Sequence, residues 1–182
     1  MYKRVIDAFV EDPAYFRCVV VDQHGFDYSK FAQPHESTTI AQARAYKKFA
    51  EMLLDKHLDG VENAVFLADR LTRCDGDEFL ERIRDRFNPP DRVPTFRHLD
   101  EVSSSIEEYQ SLQVCDLLLG CVLNNLKPPT NRFKNDIRKY LCGRLHVPNF
   151  LLSTWKDMSL SVAQKSSTKF NVWYWSAKNK PR

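Results

Sequence analysis

The order in which strand-like and helix-like stretches follow one another most constrains the fold of this chain. Four short runs rich in β-branched and aromatic residues predict strands, at 15–22, 63–69, 95–102 and 169–175. Longer stretches with one apolar face predict helices, chiefly at 38–58, around Asp116 to about Leu126, and at 133–145. Strands alternating with helices predict an α/β fold with at least partly parallel pairing. The 182 residues are most simply one domain, 1–182.

The composition is that of a folded globular protein. Hydrophobic residues make up 43% of the chain and charged residues 28%, which argues against a disordered chain. The net charge of +3 is small, so any contact with nucleic acid would come from a local patch. Five cysteines without a CxxC pair are typical of reduced thiols. Since no signal region or membrane-spanning run is present, we expect a cytoplasmic protein with no membrane partner.

One acid, Asp116, lies in a predicted helix that is otherwise almost entirely apolar. On a helical wheel it shares one stripe with Leu112, Leu119, Leu123 and Leu126. We expect this stripe to face the core, where an ionised carboxylate is costly unless something pairs with it or coordinates it. Either a metal ion or hydrogen bonds from Ser and Gln side chains would satisfy it.

Two further acids end predicted strands. Asp69 ends the second strand, and Asp22, a weaker candidate, ends the first. Open α/β sheets bind ligands at the carboxyl ends of their strands. If Asp69, Asp116 and Asp22 converge there, they would suit Mg²⁺ or Mn²⁺, and two such ions can activate water for attack on a phosphodiester. The alternative for Asp69 is a salt bridge or helix cap that involves Arg70 or Arg73.

Basic residues gather in two places. Five arginines lie in or before one predicted helix, at positions 70, 73, 82, 84 and 86. A basic tail, 176–182, follows the aromatic residues 173–175. Cations mixed with rings suit phosphate contacts and base stacking. We prefer the interpretation as a solvated helix face, because Glu78, Glu81 and Asp85 are interleaved with the arginines.

Several of these segments resemble one family. Segment 113–120, Gln-Val-Cys-Asp-Leu-Leu-Leu-Gly, resembles the Q-x-A-D-hydrophobic-hydrophobic-A-G signature of the bacterial domain-of-unknown-function-3800 family. Segment 65–70 resembles that family's apolar strand ending in Asp, 15–23 its strand ending in Val-Asp-Lys, and 169–173 its closing segment. The resemblance implies a ribonuclease-H-like fold, a mixed sheet flanked by helices. It also implies that Asp69 is the fourth-strand acid and Asp116 the late-helix acid.

The chain departs from the family at its beginning. The family's first strand carries Asp-Glu-Ser-Gly, which does not occur here. We therefore expect that the domain is incomplete at its N-terminus. A preceding segment or a partner chain would then complete the sheet, or else two of four acidic ligands have been lost. Absence of the first strand would leave a sheet edge unpaired.

The acids and the resemblance together predict a metal-dependent nuclease that cleaves phosphodiester bonds of nucleic acid. Asp69 and Asp116 would be its catalytic metal ligands, with Asp22 as a further ligand. The alternative is a non-catalytic module that keeps the fold, has lost part of the acidic site, and binds nucleic acid or a protein. A third interpretation is an unrelated α/β domain in which both aspartates are structural.

Overall fold

A computed structural model of the chain describes residues 1–22, 26–58, 60–70, 78–103, 105, 107–150 and 169–175. Its helices are α1 (Tyr2–Glu11), α2 (Thr38–Asp55), α3 (Phe79–Phe87), α4 (Gln110–Leu126) and α5 (Arg132–Arg144). Its strands are β1 (Phe16–Val21), β2 (Ala64–Asp69), β3 (Phe96–Val102) and β4 (Phe170–Trp175). The chain divides into two compact units, unit 1 (Met1–His24 with Ser111–Arg182) and unit 2 (Gly25–Gln110).

Unit 1 is built on two parallel strands that come from opposite ends of the chain. β1 pairs with β4 in register, so that Phe16 lies opposite Phe170. The phenyl rings of Phe16 and Phe150 both stack on that of Phe170, with centroids 4.6 and 4.9 Å away. The strands pack with α1, α4 and α5 in one apolar cluster, whose most deeply buried members include Ile6, Leu118, Val122, Leu141 and Val172.

A polar cluster fastens α1 to α5 at the edge of this core. The Tyr140 hydroxyl donates to the Asp7 carboxylate, with O···O distances of 2.8 and 3.0 Å. The Arg144 guanidinium forms ion pairs with Asp7 at 2.9 Å and with Glu11 at 3.2 Å. The hydrogen bond to Asp7 raises the pKa of Tyr140 above its usual value. Apolar packing and a network of charge-assisted hydrogen bonds therefore hold α1 against α5.

Unit 2 contains a second parallel pair, β2 with β3. Phe79 and Ile83, one turn apart on α3, bury their side chains against Phe96 of β3. The Asn88 side chain holds the connection between α3 and β3. Its amide oxygen accepts from the Phe96 N–H at 2.9 Å, and its amide nitrogen donates to the Phe96 carbonyl at 2.6 Å.

The predicted α/β class with parallel strands is confirmed, and the predicted strands and long helices occur close to their predicted bounds. The described strands form two separate sheets of two strands each, whereas the resemblance implied one larger mixed sheet. A single domain over 1–182 stays a prediction beside the two units. None of the described helices is both long enough and apolar enough to cross a membrane.

Candidate functional site

α4 turns toward the core a different face from the one that its sequence predicts. Its buried side chains are Leu118, Cys121, Val122 and Asn125. A second row, centred about a third of a turn around the helix from the buried face, is here called the outer stripe and consists of Leu112, Asp116, Leu119, Leu123 and Leu126. Leu119, Leu123 and Leu126 are 39%, 51% and 40% exposed, and Asp116 is exposed too. The prediction that Asp116 points into the core is wrong, so no burial cost requires a cation beside it.

The reason for this orientation lies in a neighbouring helix. α4 is apolar around most of its circumference, so two different stripes are suited to packing. The packed stripe accepts Asn125 because Arg138 of α5 donates to the Asn125 side-chain oxygen at 2.9 Å. Arg138 also donates to Asn135 Oδ1 at 3.2 and 2.8 Å, which orients the guanidinium. Asn125 Nδ2 is buried and has no hydrogen-bond partner among the described residues, a cost that the other contacts outweigh.

Asp116 lies on the wall of an open groove of about 530 Å³ within unit 1. α4, α5 and the N-terminus of α1 form the groove, and its lining includes Tyr2, Gly120, Asn124, Asn131, Phe133 and Lys134. The rings of Tyr2 and Phe133 contact edge to face, with centroids 5.6 Å apart. Tyr2 is 43% exposed and Phe133 54%. The groove therefore combines a carboxylate, an ammonium group, two amides and two accessible rings.

Asp69 lies where the sequence predicts, as the last residue of β2, opposite Val102 of the parallel strand β3. Beyond it the ladder continues for one step, because the Arg70 N–H donates to the Val102 carbonyl at 2.8 Å. The Arg70 guanidinium donates to the Glu101 carbonyl at 3.4 Å. Arg73, the other predicted partner of Asp69, lies outside the described residues.

Asp22 follows β1, and its N–H donates to the Trp175 carbonyl at 3.0 Å. Asp22 and Asp116 belong to unit 1, whereas Asp69 belongs to unit 2. Within the described part of the chain, no group of three or more His, Cys, Asp or Glu side chains could hold a metal ion. Mg²⁺ or Mn²⁺ bound by Asp22, Asp69 and Asp116 stays a prediction.

The arginines of α3 lie among acids. Arg86 donates to the Asp55 carboxylate from Nε at 3.2 Å and from Nη2 at 2.6 Å. These hydrogen bonds raise the pKa of Arg86. Arg82 and Arg84 are exposed on the same helix as the exposed acids Glu81 and Asp85. This arrangement agrees with a solvated helix face. The basic tail, 176–182, lies outside the described residues.

The sequence interpretation missed the groove and the exposure of the outer stripe. The sequence did contain a signal for the exposed outer stripe. Its successive members are separated by four, three, four and three residues. This spacing is typical of a seam between two packed helices. It predicts equally well a helix that packs inside its own chain and one that packs against another chain.

Comparisons of the chain with protein-family models, curated proteins and solved structures found no match. Its function must therefore be argued from its own residues. Nucleic acid as a partner and a cytoplasmic location stay predictions.

Proposed function

We propose that this chain is a non-catalytic binding module of ribonuclease-H-like ancestry whose outer stripe binds a protein partner. The observation that carries the proposal is the exposure of Leu119, Leu123 and Leu126 in one row along α4. Single exposed leucines are ordinary on protein surfaces. A row of them beside two exposed rings is typical of an interaction surface.

The apolar groups of this surface are large enough to support association. Full burial of a leucine side chain contributes about 1.5–3 kcal/mol, so three half-exposed leucines would add about 2–4 kcal/mol. Tyr2 and Phe133 enlarge the surface with aromatic rings, which are enriched among the residues that dominate interfaces. Asp116 and Lys134 lie beside them and would orient the partner through polar contacts.

The ancestry is supported by the resemblance of segments 65–70 and 113–120. An α/β class with parallel strands and an acid at the end of β2 is what that ancestry predicts. The binding function does not depend on it, because the exposure of Leu119, Leu123 and Leu126 is observed independently of the resemblance.

Metal-dependent cleavage of phosphodiester bonds is a second candidate, which the position of Asp69 favours. Asp69 ends β2 at the carboxyl edge of a parallel pair, where α/β sheets bind ligands. Asp116, being exposed, is accessible to hydrated Mg²⁺ or Mn²⁺, ions that proteins often hold through one or two carboxylates. Asp69, Asp116 and Asp22 stay the predicted metal ligands of this candidate, and nucleic acid would be the substrate.

Calorimetric titration with Mn²⁺ separates the two candidates. The nuclease predicts binding that Asp69→Asn and Asp116→Asn each weaken at least tenfold, since even losing a group that only orients a metal ligand costs about 10–100-fold in affinity. Asp136→Asn, on α5 with its side chain 52% exposed, is the matched control. The binding module predicts the same titration for the native chain and Asp116→Asn. Binding that depends on Asp116 would overturn the non-catalytic proposal.

Site-specific photo-cross-linking tests the binding module directly. A photoreactive phenylalanine analogue replaces Leu123 in the full chain, produced in cells. The matched control carries it in place of Val93, which is 58% exposed in unit 2. We expect a protein adduct from position 123 alone, resistant to nuclease. A nuclease-sensitive adduct, equal adducts from both positions, or no adduct would contradict the proposal.

A further inference from the structure

We propose that the outer stripe packs against the same stripe of a second copy of this chain, with the two α4 helices antiparallel. This inference rests on the proposed function and names its partner. The spacing of four, three, four and three residues is that of a seam in which side chains of two helices interdigitate. A twofold pair uses one self-complementary surface twice, so a single stripe is sufficient.

Charge complementarity fixes the register of the pair. When two copies of α4 lie antiparallel with Leu119 opposite Leu123, Asp116 of one copy comes beside Leu126 and Lys127 of the other. Lys127 continues the last turn of α4, since its N–H donates to the Leu123 carbonyl at 2.9 Å, and its side chain is exposed. The symmetry makes this contact twice.

Asp116 and Lys127 also lie on the same flank of the helix. They are eleven residues apart, which is three turns with a remainder of about 20°. In an antiparallel twofold pair, each flank of one helix faces the same flank of the other. The two side chains are therefore placed to form ion pairs along one rim of the seam, where they would select the partner and its register.

The parallel arrangement is disfavoured by the same charges. It would place Asp116 opposite Asp116 within an apolar seam, and like charges brought together there are costly. The antiparallel arrangement replaces this repulsion with two attractions. A polar residue at one seam position commonly decides orientation in this way.

Gly120 gives α4 room for a close approach on that flank. A glycine within a helix is destabilising relative to alanine, because it loses more backbone freedom on folding. Packing among the described residues does not account for it, because a Cβ at Gly120 would meet none of their atoms within 4 Å outside its own helix turns. A helix from a second copy would pass over this position. Since α4 has only four to five turns, the contact is small and we expect a reversible dimer.

Charge reversal and its rescue test the inference in the full chain. Sedimentation equilibrium gives the dimer Kd of the native protein, of Asp116→Lys, of Lys127→Asp, and of the double variant. Each single reversal places like charges together and should raise Kd at least about tenfold, while the double variant should return to within about threefold of native. Lys139→Asp, an exposed position on α5, is the matched control and should leave Kd unchanged.

The possible results separate this inference from the proposed function. Circular dichroism of each variant identifies any that fails to fold, and Leu123→Gln then provides an uncharged test that should also weaken the dimer. A chain that is monomeric at all concentrations, or a double variant as weak as the singles, overturns the antiparallel dimer. If position 123 still cross-links to a different protein, the binding module stands without self-association. If it yields no adduct, both fail.

Discussion

At the scale of single residues, the candidate acids differ in how far their positions could be predicted. Asp69 could be placed, because an apolar run that ends in Asp fixes both the strand and its last residue. Asp116 could not, because its exposure depends on which stripe of α4 packs. Arg138 helps decide that by supplying the partner that lets Asn125 enter the core. No pattern within 110–126 reveals a donor that arrives from another helix.

Tyr140 provides a prediction at this scale. The pKa of its hydroxyl is raised above the usual 10.0 in the folded chain, chiefly by the hydrogen bond to Asp7. Its contribution to stability is therefore full below the unfolded-state pKa and is lost as the pH rises through the folded-state pKa. We expect Tyr140→Phe to have a lower melting temperature than the native chain at about pH 8. Between about pH 8 and 11, the melting temperature of Tyr140→Phe should fall less than that of the native chain.

Thermal melts followed by circular dichroism at both pH values measure this difference. Tyr15→Phe is the control, since Tyr15 is 64% exposed. An equal loss of stability with pH in the native chain and in Tyr140→Phe would show that the hydrogen bond to Asp7 does not support the attachment of α1.

At the scale of secondary structure, the bounds of the helices and strands were predictable while their orientation was not. Periodicity marks where α2, α4 and α5 run, and polar or proline-containing breaks mark where they end. The orientation of a helix can be predicted only when one of its faces is clearly more apolar than the others. α1 meets that condition with Ile6 and Phe9 buried, whereas α4 carries leucines on both sides.

Two leucines on adjacent positions of α4 test its orientation. Leu118 is 1% exposed and Leu119 is 39% exposed. Leu118→Ala should lower the free energy of unfolding by about 2–5 kcal/mol, because it leaves a cavity in the unit 1 core. Leu119→Ala should cost less than about 1 kcal/mol in the monomer. Urea titrations at low protein concentration measure the unfolding free energy of both variants. A larger loss for Leu119→Ala than for Leu118→Ala would mean that the outer stripe faces inward.

At the scale of the whole molecule, one unit interrupts another. Unit 1 takes β1 from near one end of the sequence and β4 from near the other, whereas unit 2 is the continuous segment between them. The sequence predicted these strands but not the division into units. Which run pairs with which is decided by contacts between positions as distant as 16 and 170, and no local pattern encodes them.

The two units should unfold separately, and the tryptophans allow this to be observed. Trp173 and Trp175 lie in β4 of unit 1, and Trp155 lies outside the described residues. Among the described residues, the buried cluster of unit 1 has thirteen members and that of unit 2 has three. Because a larger apolar core is more stable, we expect the fluorescence transition in urea to follow an earlier transition in far-ultraviolet circular dichroism. Coincident transitions would contradict this expectation.

The pairing of β1 with β4 cannot form until late in the synthesis of the chain. At about 5–20 residues per second, the ribosome delivers position 170 about 7–30 s after position 21. Throughout that interval β1 lacks β4, its one partner among the described strands, and exposed strand edges invite aggregation. A polypeptide cut short after α5 would keep this edge open permanently. Pairing with β4 is therefore the step that protects the nascent chain from aggregation at this edge of β1.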